Sequence, residues 1–157
     1  MAATKSVVVE RRVQAPPGPV WEALTDLRGM ERVLSGVERV EVLTAGGFDV
    51  GTRWRETRRM MGKEATEEMT VTECVPPERY VTVADSHGMH YVSEIELLKG
   101  DPESASTMIV MTFRATPTGG GAMGLLAKLV GGLGAKAVSR ALAKDLDEIA
   151  AAIERRG

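Results

Sequence analysis

Glu56 and Glu67 stand where acid/base chemistry is possible if the segment from Thr52 to Glu73 folds back on itself as a hairpin. Centring the turn on Met61-Gly62 sets Arg59 opposite Glu64, Thr57 opposite Thr66 and Arg55 opposite Glu68, three favourable cross-strand pairs on one face. The other face then pairs Trp54 with Met69 and Thr52 with Val71. A slip of one residue would mix the two sets, so a single register satisfies both faces. That register places Glu56 against Glu67 on the inner side, with Arg58 one inward position further along. Opposed carboxylates repel, so one of them keeps its proton to higher pH unless a cation lies between them. The chemistry on offer is proton transfer or polar anchoring inside a pocket. The competing reading is a solvated mouth in which Arg58 neutralises both acids.

Other motifs offer less. Gly119-Gly120-Gly121-Ala122-Met123-Gly124 matches G-x-G-x-x-G, and Asp145 follows at about the spacing of a ribose-binding acid. A dinucleotide fold needs a parallel strand after that helix, and none is expected before Gly157, so the glycines are read as a helix entry. His87 and His90 fall at a strand-to-strand turn without a nearby cysteine or acid cluster, so no metal site is expected. Arg53, Arg55, Arg58 and Arg59 form a basic run, but the hairpin opposes two of them with glutamates. Trp21 reads as a packing residue between the first helix and the sheet, and Trp54 as a cavity wall or a core filler.

The elements that must carry these residues follow from hydrophobic period. Ser6 to Val13 alternates as a strand, and Ala15-Pro16-Pro17-Gly18-Pro19 stops it. Val20, Leu24 and Leu27 recur at helical spacing, and a second short helical piece spans Met30 to Leu34. Extended segments follow: Val37 to Leu43, Thr52 to Met60, Lys63 to Val75, Arg79 to Ser86, Met89 to Leu98 and Thr107 to Thr116. Their short connections argue for an antiparallel meander. The strand from Arg79 to Ser86 has no readable inward face, since Tyr80 competes with Val81 and Val83. The last element, Ala122 to Arg155, carries an apolar stripe through Leu126, Leu129, Leu133, Leu142, Leu146, Ile149 and Ile153. Gly131, Gly132 and Gly134 interrupt it, marking either a bend or a hinge.

Composition sets outer bounds. The 157 residues fit one domain, 1–157, and 43% hydrophobic with 27% charged residues describes a foldable globular chain. A formal charge of −2 gives no general attraction to nucleic acid or anionic lipid, so no nucleic-acid partner is expected. Cys74 is the only cysteine and no secretory leader is evident, which suits a cytoplasmic location. Ala122 to Val138, interrupted by Lys128 and Lys136, is too short and too charged to span a bilayer, so no stable membrane insertion is expected. Nine methionines, against two each of Trp, Tyr and Phe, supply a core that can repack around variable shapes.

Taken in order, Ala15-Pro16-Pro17, Val20-Trp21, Thr25-Asp26-Leu27, Ser35-Gly36-Val37, Val50-Gly51-Thr52-Arg53-Trp54 and Val71 to Arg79 resemble the START/Bet v 1-like superfamily. Within it they resemble the bacterial polyketide cyclase/dehydrase-like branch. The resemblance implies an α+β helix-grip fold: a seven-stranded curved antiparallel sheet around a long C-terminal helix, with two short helices after strand 1. It also implies a deep cavity for lipids, sterols, polyketides or other bulky apolar molecules. The branch's cyclases place polar groups on the strand matching Thr66 to Thr72 and near Val37, where this chain has Met69, Val71 and Val37. Met30 and Val33 stand where an aromatic residue is usual.

The expected function is binding of a small hydrophobic molecule, lipid-, polyketide- or isoprenoid-like, without a cofactor, by a monomer or homodimer. Expected wall residues are Trp54, Met69, Val71, Tyr91, Ile95, Met111, Phe113, Leu126 and Leu129, with Glu56, Arg58, Glu67 and Ser93 as polar anchors. The rivals are a cyclase/dehydratase-type enzyme using Glu56 and Glu67 as acid and base, and a protein-binding module of the chaperone-regulator kind.

Overall fold

Alternate valines give β1 (Lys5–Val13) one apolar face: Val9 and Val13 are buried, whereas Val8 on the other face is exposed. In the computed structural model of the chain, which describes residues 5–60, 62–86, 88–118 and 133–156, two short helices follow. The first, α1 (Pro17–Thr25), starts on a proline whose missing N–H costs nothing in a first helical turn. The Asp26 carboxylate accepts from the Gly29 amide at 3.1 Å and so fixes a single 3₁₀ turn over Leu27–Gly29. The second helix, α2 (Met30–Val33), ends where Leu34 becomes extended.

Six strands come next: β2 (Val37–Val42), β3 (Arg53–Met60), β4 (Lys63–Val75), β5 (Arg79–Ser86), β6 (Met89–Lys99) and β7 (Thr107–Pro117). A long helix, α3 (Leu133–Arg156), closes the described chain. All strand neighbours are antiparallel, in the order β1-β7-β6-β5-β4-β3-β2. The turns between β3 and β4 and between β5 and β6 use Gly62 and Gly88 at φ 76° and 75°, a region that favours glycine. The seven-stranded helix-grip arrangement expected from the sequence is the one found. The stretch from Ala122 to Gly132, which includes Leu126, Leu129, Gly131 and Gly132, lies outside the described residues, as does the Gly119 to Gly124 motif.

The β3–β4 register is the expected one, pair for pair. Trp54 is opposite Met69, Glu56 opposite Glu67 and Arg58 opposite Ala65 on the inner face. On the outer face the Thr57 and Thr66 hydroxyls lie 2.9 Å apart, and Arg55 and Arg59 reach Glu68 and Glu64. The Val71 amide donates to the Thr52 carbonyl at 2.9 Å, which extends the same register by one more pair. A bulge between Val71 and Glu73 then shifts the pairing of β4 with β5, a device that bends a strand and increases its twist.

Along α3 the stripe Leu142, Leu146, Ile149 and Ile153 packs into the cluster that contains Val9, Val13, Leu97 and Ile109. Three polar ties hold the helix in place. Glu148 accepts from the Ser35 amide at 3.2 Å, Glu154 accepts from the Gln14 amide at 3.0 Å, and Arg11 pairs with Asp147 at 3.3 Å. The C-terminal part of α3 is therefore seated on β1 and the short helices. Its earlier turns pass over the middle of the sheet.

Ile109 is fully buried at the centre of this seat. Ile109→Ala is expected to cost about 2–5 kcal/mol, read as a lower urea midpoint with an unchanged m-value. A loss below about 1 kcal/mol would contradict close packing at this end of the molecule.

Candidate functional site

Short side chains in the middle of the sheet leave a hollow under α3. On the inner face Ala65, Ala84, Thr82 and Ser93 occupy neighbouring strands, and Thr82 and Ser93 are direct cross-strand partners. Larger residues stand around them: Trp54, Met69, Tyr80, Tyr91, Ile95, Met111 and Phe113 from the sheet. Leu24, Met30 and Leu34 close one side from the short-helix region, and Val138, Leu142, Leu146 and Ile149 roof it from α3. The hollow is open to solvent at one side and measures about 300 Å³, at the lower end of the range for small-molecule pockets.

The wall has an apolar and a polar end, and strand register sets both. Reading along β3 toward its hairpin, the inward residues are Trp54, Glu56 and Arg58; opposite them on β4 are Met69, Glu67 and Ala65. Tyr80 and Ile95 pair across β5 and β6 on the Trp54 side, and Ala84 pairs with Tyr91 toward the other end. Tyr91 stacks on Phe113 with ring centroids 5.6 Å apart.

At the polar end one guanidinium serves two carboxylates. Arg58 Nε lies 3.2 Å from Glu56, and Arg58 Nη1 lies 2.9 Å from Asp145 on α3. All three side chains are largely shielded from solvent, Asp145 most of all at 12% exposure. Burial pushes the Asp145 carboxyl up to about 6, outweighing the attraction of Arg58, and repulsion from Glu56 and Glu148 adds to the rise. Arg58 is held firmly in its charged form: Asp145 and Glu56 together outweigh the cost of its burial. Arg58 is turned toward Glu56 and Asp145 and forms no ion pair with Glu67, so it does not neutralise both opposed acids.

Several wall groups have no polar partner. The hydroxyls of Tyr80, Thr82 and Ser93, in residues 5%, 3% and 7% exposed, make no hydrogen bond among the described residues. Burial pushes the Tyr80 phenol up, with the Glu56 charge adding to it. Trp54 is 3% exposed and its indole N–H likewise finds no acceptor. A cavity with apolar walls, unpaired hydroxyls on its floor and an acid near neutrality at one end can seat an oxygen- or nitrogen-bearing apolar molecule and exchange a proton with it.

Of the residues expected from sequence, Trp54, Glu56, Arg58, Glu67, Met69, Tyr91, Ser93, Ile95, Met111 and Phe113 lie on this wall. Val71 does not. It faces inward as the register requires, but it is buried with Leu27 and Trp54 beneath the 3₁₀ turn, one step beyond the end of the hollow. Leu126 and Leu129 fall outside the described residues. Trp54 joins both the wall and that Leu27 cluster, so it is wall and filler at once. Trp21 packs edge-on against Tyr80 and Phe48, joining α1 to the sheet. Arg53 and Arg55 face Glu68, Arg59 faces Glu38 and Glu64, and His90 pairs with Asp85 at 2.7 Å. Sequence reading missed Tyr80, Thr82, Ala84 and Asp145 as wall residues. The signal for Asp145 was available: it sits three residues after Leu142 and four before Ile149, a charge inside the apolar stripe.

Comparison with known proteins agrees with this fold. The family described as polyketide cyclase / dehydrase and lipid transport matches residues 4–154. Among solved structures, the protein TTHA0849 from Thermus thermophilus superposes with a TM-score of 0.76 at 26% identity, over 97% of this chain and 99% of that one. The Zhui aromatase/cyclase from Streptomyces sp. R1128 gives 0.80 at 22% identity, over 98% and 96%. Norcoclaurine synthase from Thalictrum flavum gives 0.75 at 16% identity, over 99% and 98%, a likeness of fold. No curated protein matches the sequence. No described helix is long and apolar enough to cross a membrane.

The raised Asp145 carboxyl fixes a pH dependence of stability. Its ordinary value is 3.8, so between pH 4 and 6 the folded state holds a proton that the unfolded chain has released. Stability contributed by this group is therefore largest below pH 4, falls as pH rises to 6 and is level above. Compared with Asp145→Asn, the wild type is expected to lose about 3 kcal/mol across that window, measured by urea unfolding at closely spaced pH values. Parallel curves for the two proteins would show that the carboxyl is not raised.

Proposed function

Because the chain belongs to the polyketide cyclase / dehydrase and lipid transport family, we propose that it binds a small hydrophobic molecule, lipid-, polyketide- or isoprenoid-like, in the cavity between sheet and α3. The observation that carries this reading is the hollow itself, apolar in its walls and floored by Ala84, Thr82 and Ser93. A filled core would place large side chains at those positions. The guest lies with its apolar body toward Trp54, Tyr80 and Ile95 and its polar end toward Glu56, Arg58, Glu67 and Asp145. Each Å² of apolar surface so removed from water contributes about 25 cal/mol, partly offset by the lost freedom of the guest.

The Arg58–Asp145 contact favours a second reading, an enzyme of the cyclase/dehydratase type. Asp145, with its carboxyl near neutrality, lies against a fixed guanidinium 2.9 Å away. A cation to polarise a carbonyl oxygen and an acid/base to move the neighbouring proton form a workable pair for enolisation or dehydration. In this reading Asp145 joins Glu56 as the proton-handling group, and Glu67, which forms no ion pair with Arg58, holds the guest.

Native mass spectrometry of the purified protein is expected to show a bound molecule of lipid-like mass. The neutral probe N-phenyl-1-naphthylamine should bind saturably, and Ala84→Trp, which fills the floor, should weaken it at least about tenfold without lowering the melting temperature. Absence of any bound mass together with probe binding untouched by Ala84→Trp would sink the cavity reading. If the co-purified molecule is converted by wild type and left unchanged by Asp145→Asn and Glu56→Gln, the enzyme reading holds; equal turnover by all three removes it.

A further inference from the structure

Among the described residues, four charged side chains line the cavity: the carboxylates of Glu56, Glu67 and Asp145, and the guanidinium of Arg58. Three negative groups meet one positive group, so the wall carries an excess of two negative charges when all are ionised. That one cation is committed. Its Nε is engaged by Glu56 on the sheet and its Nη1 by Asp145 on α3. Glu67, by contrast, makes no ion pair and no hydrogen bond among the described residues.

The surroundings of Glu67 complete the picture. Its charge, after burial, is the second cause that pushes the Tyr91 phenol up, so carboxylate and ring are close. Tyr91 is paired with Ala84 on the neighbouring strand, which contributes only a methyl group to the wall. Tyr91 lies stacked on Phe113, which presents two aromatic rings on the wall beside the unpaired acid. Nearby on the floor, Thr82 and Ser93 are nine-tenths buried with hydroxyls that make no hydrogen bond, and each can accept one from a guest. An unpaired carboxylate, aromatic faces and free hydroxyl acceptors are the groups that recognise an ammonium ion. The same wall treats a carboxylate guest badly. Such a guest would lose its hydration against a wall of net negative charge, and Arg58 could serve it only by giving up Glu56 or Asp145.

We propose that the cavity selects by charge: it takes an apolar guest bearing an ammonium group, seated at Glu67 beside Tyr91, and rejects carboxylate amphiphiles such as free fatty acids. This rests on the cavity-binding reading above and narrows its ligand class. Three probes that share one naphthyl body test it by titration calorimetry at pH 7.5: 2-(2-naphthyl)ethylamine, 2-(2-naphthyl)ethanol and 2-naphthylacetate. The amine is expected to bind about tenfold more tightly than the alcohol, and the carboxylate at least about tenfold more weakly than the alcohol. In Glu67→Gln the amine should lose its advantage over the alcohol, the two binding equally. Equal binding of all three probes, or tightest binding of the alcohol or the carboxylate, overturns charge selection and leaves the cavity reading standing. An amine preference that survives unchanged in Glu67→Gln overturns the assignment to Glu67. Binding of none of the three overturns the cavity reading and the inference together.

Discussion

The register of the β3–β4 hairpin is the constraint on which the site depends. Inward and outward residues alternate strictly along a strand, so a shift of one position would put Arg55, Thr57 and Arg59 into the cavity and turn Trp54, Glu56 and Arg58 to solvent. Nothing in the turn alone prevents that slip. What prevents it is the agreement of the two faces. Outside, the paired threonines and the Arg55–Glu68 and Arg59–Glu64 contacts match only in this register. Inside, Trp54 meets Met69. Each exposed ion pair stabilises by only about 0.2–1 kcal/mol, but a slip would forfeit all of them and expose the tryptophan as well.

The rest of the molecule is arranged so that one end can be firm and the other hollow. Where α3 crosses β1, β6 and β7, the branched residues Val9, Val13, Ile109, Ile149 and Ile153 interlock. Toward the middle of the sheet the inward positions shrink to Ala65, Thr82, Ala84 and Ser93, and the helix passes over them without filling the gap. An apolar void forgoes contacts that a packed core would make, so the firm end must carry the stability that the cavity omits. The polar ties from Glu148 to Ser35 and from Glu154 to Gln14 lie at the firm end too, where they hold the helix at the height that leaves the void open.

The strand order and the hairpin pairing were legible because they rest on local pattern: period-two alternation, turn glycines and matched charges. The residues that escaped sequence reading did so for identifiable reasons. In β5 both faces are shielded, with Tyr80, Val81, Thr82 and Ala84 all buried, so alternation carries no information and the inward set could not be chosen. Val71 faces inward but lies beyond the wall, because where the hollow ends depends on the 3₁₀ turn that drops Leu27 onto it. A strand pattern cannot reveal a contact made by a distant loop. Asp145 is different in kind. Its position inside the apolar stripe of α3 was visible, whereas its partner on β3 was not, since helix and hairpin are joined only by the way the sheet curls.

That long-range contact binds the site's chemistry to its architecture. Arg58 bridges β3 and α3, so the guanidinium both fastens the roof to the floor and sets the charge of the cavity's polar end. Burying three charges together is costly, and an apolar triad of the same volume would stabilise the fold at least as well. What an apolar triad could not do is leave a fourth group wanting. With Arg58 held between Glu56 and Asp145, Glu67 is the wall carboxylate without a cation among the described residues, one strand away and within reach of the same guest. A guest that supplies the missing positive charge would bring the set to five, three carboxylates and two cations, across the sheet–helix gap.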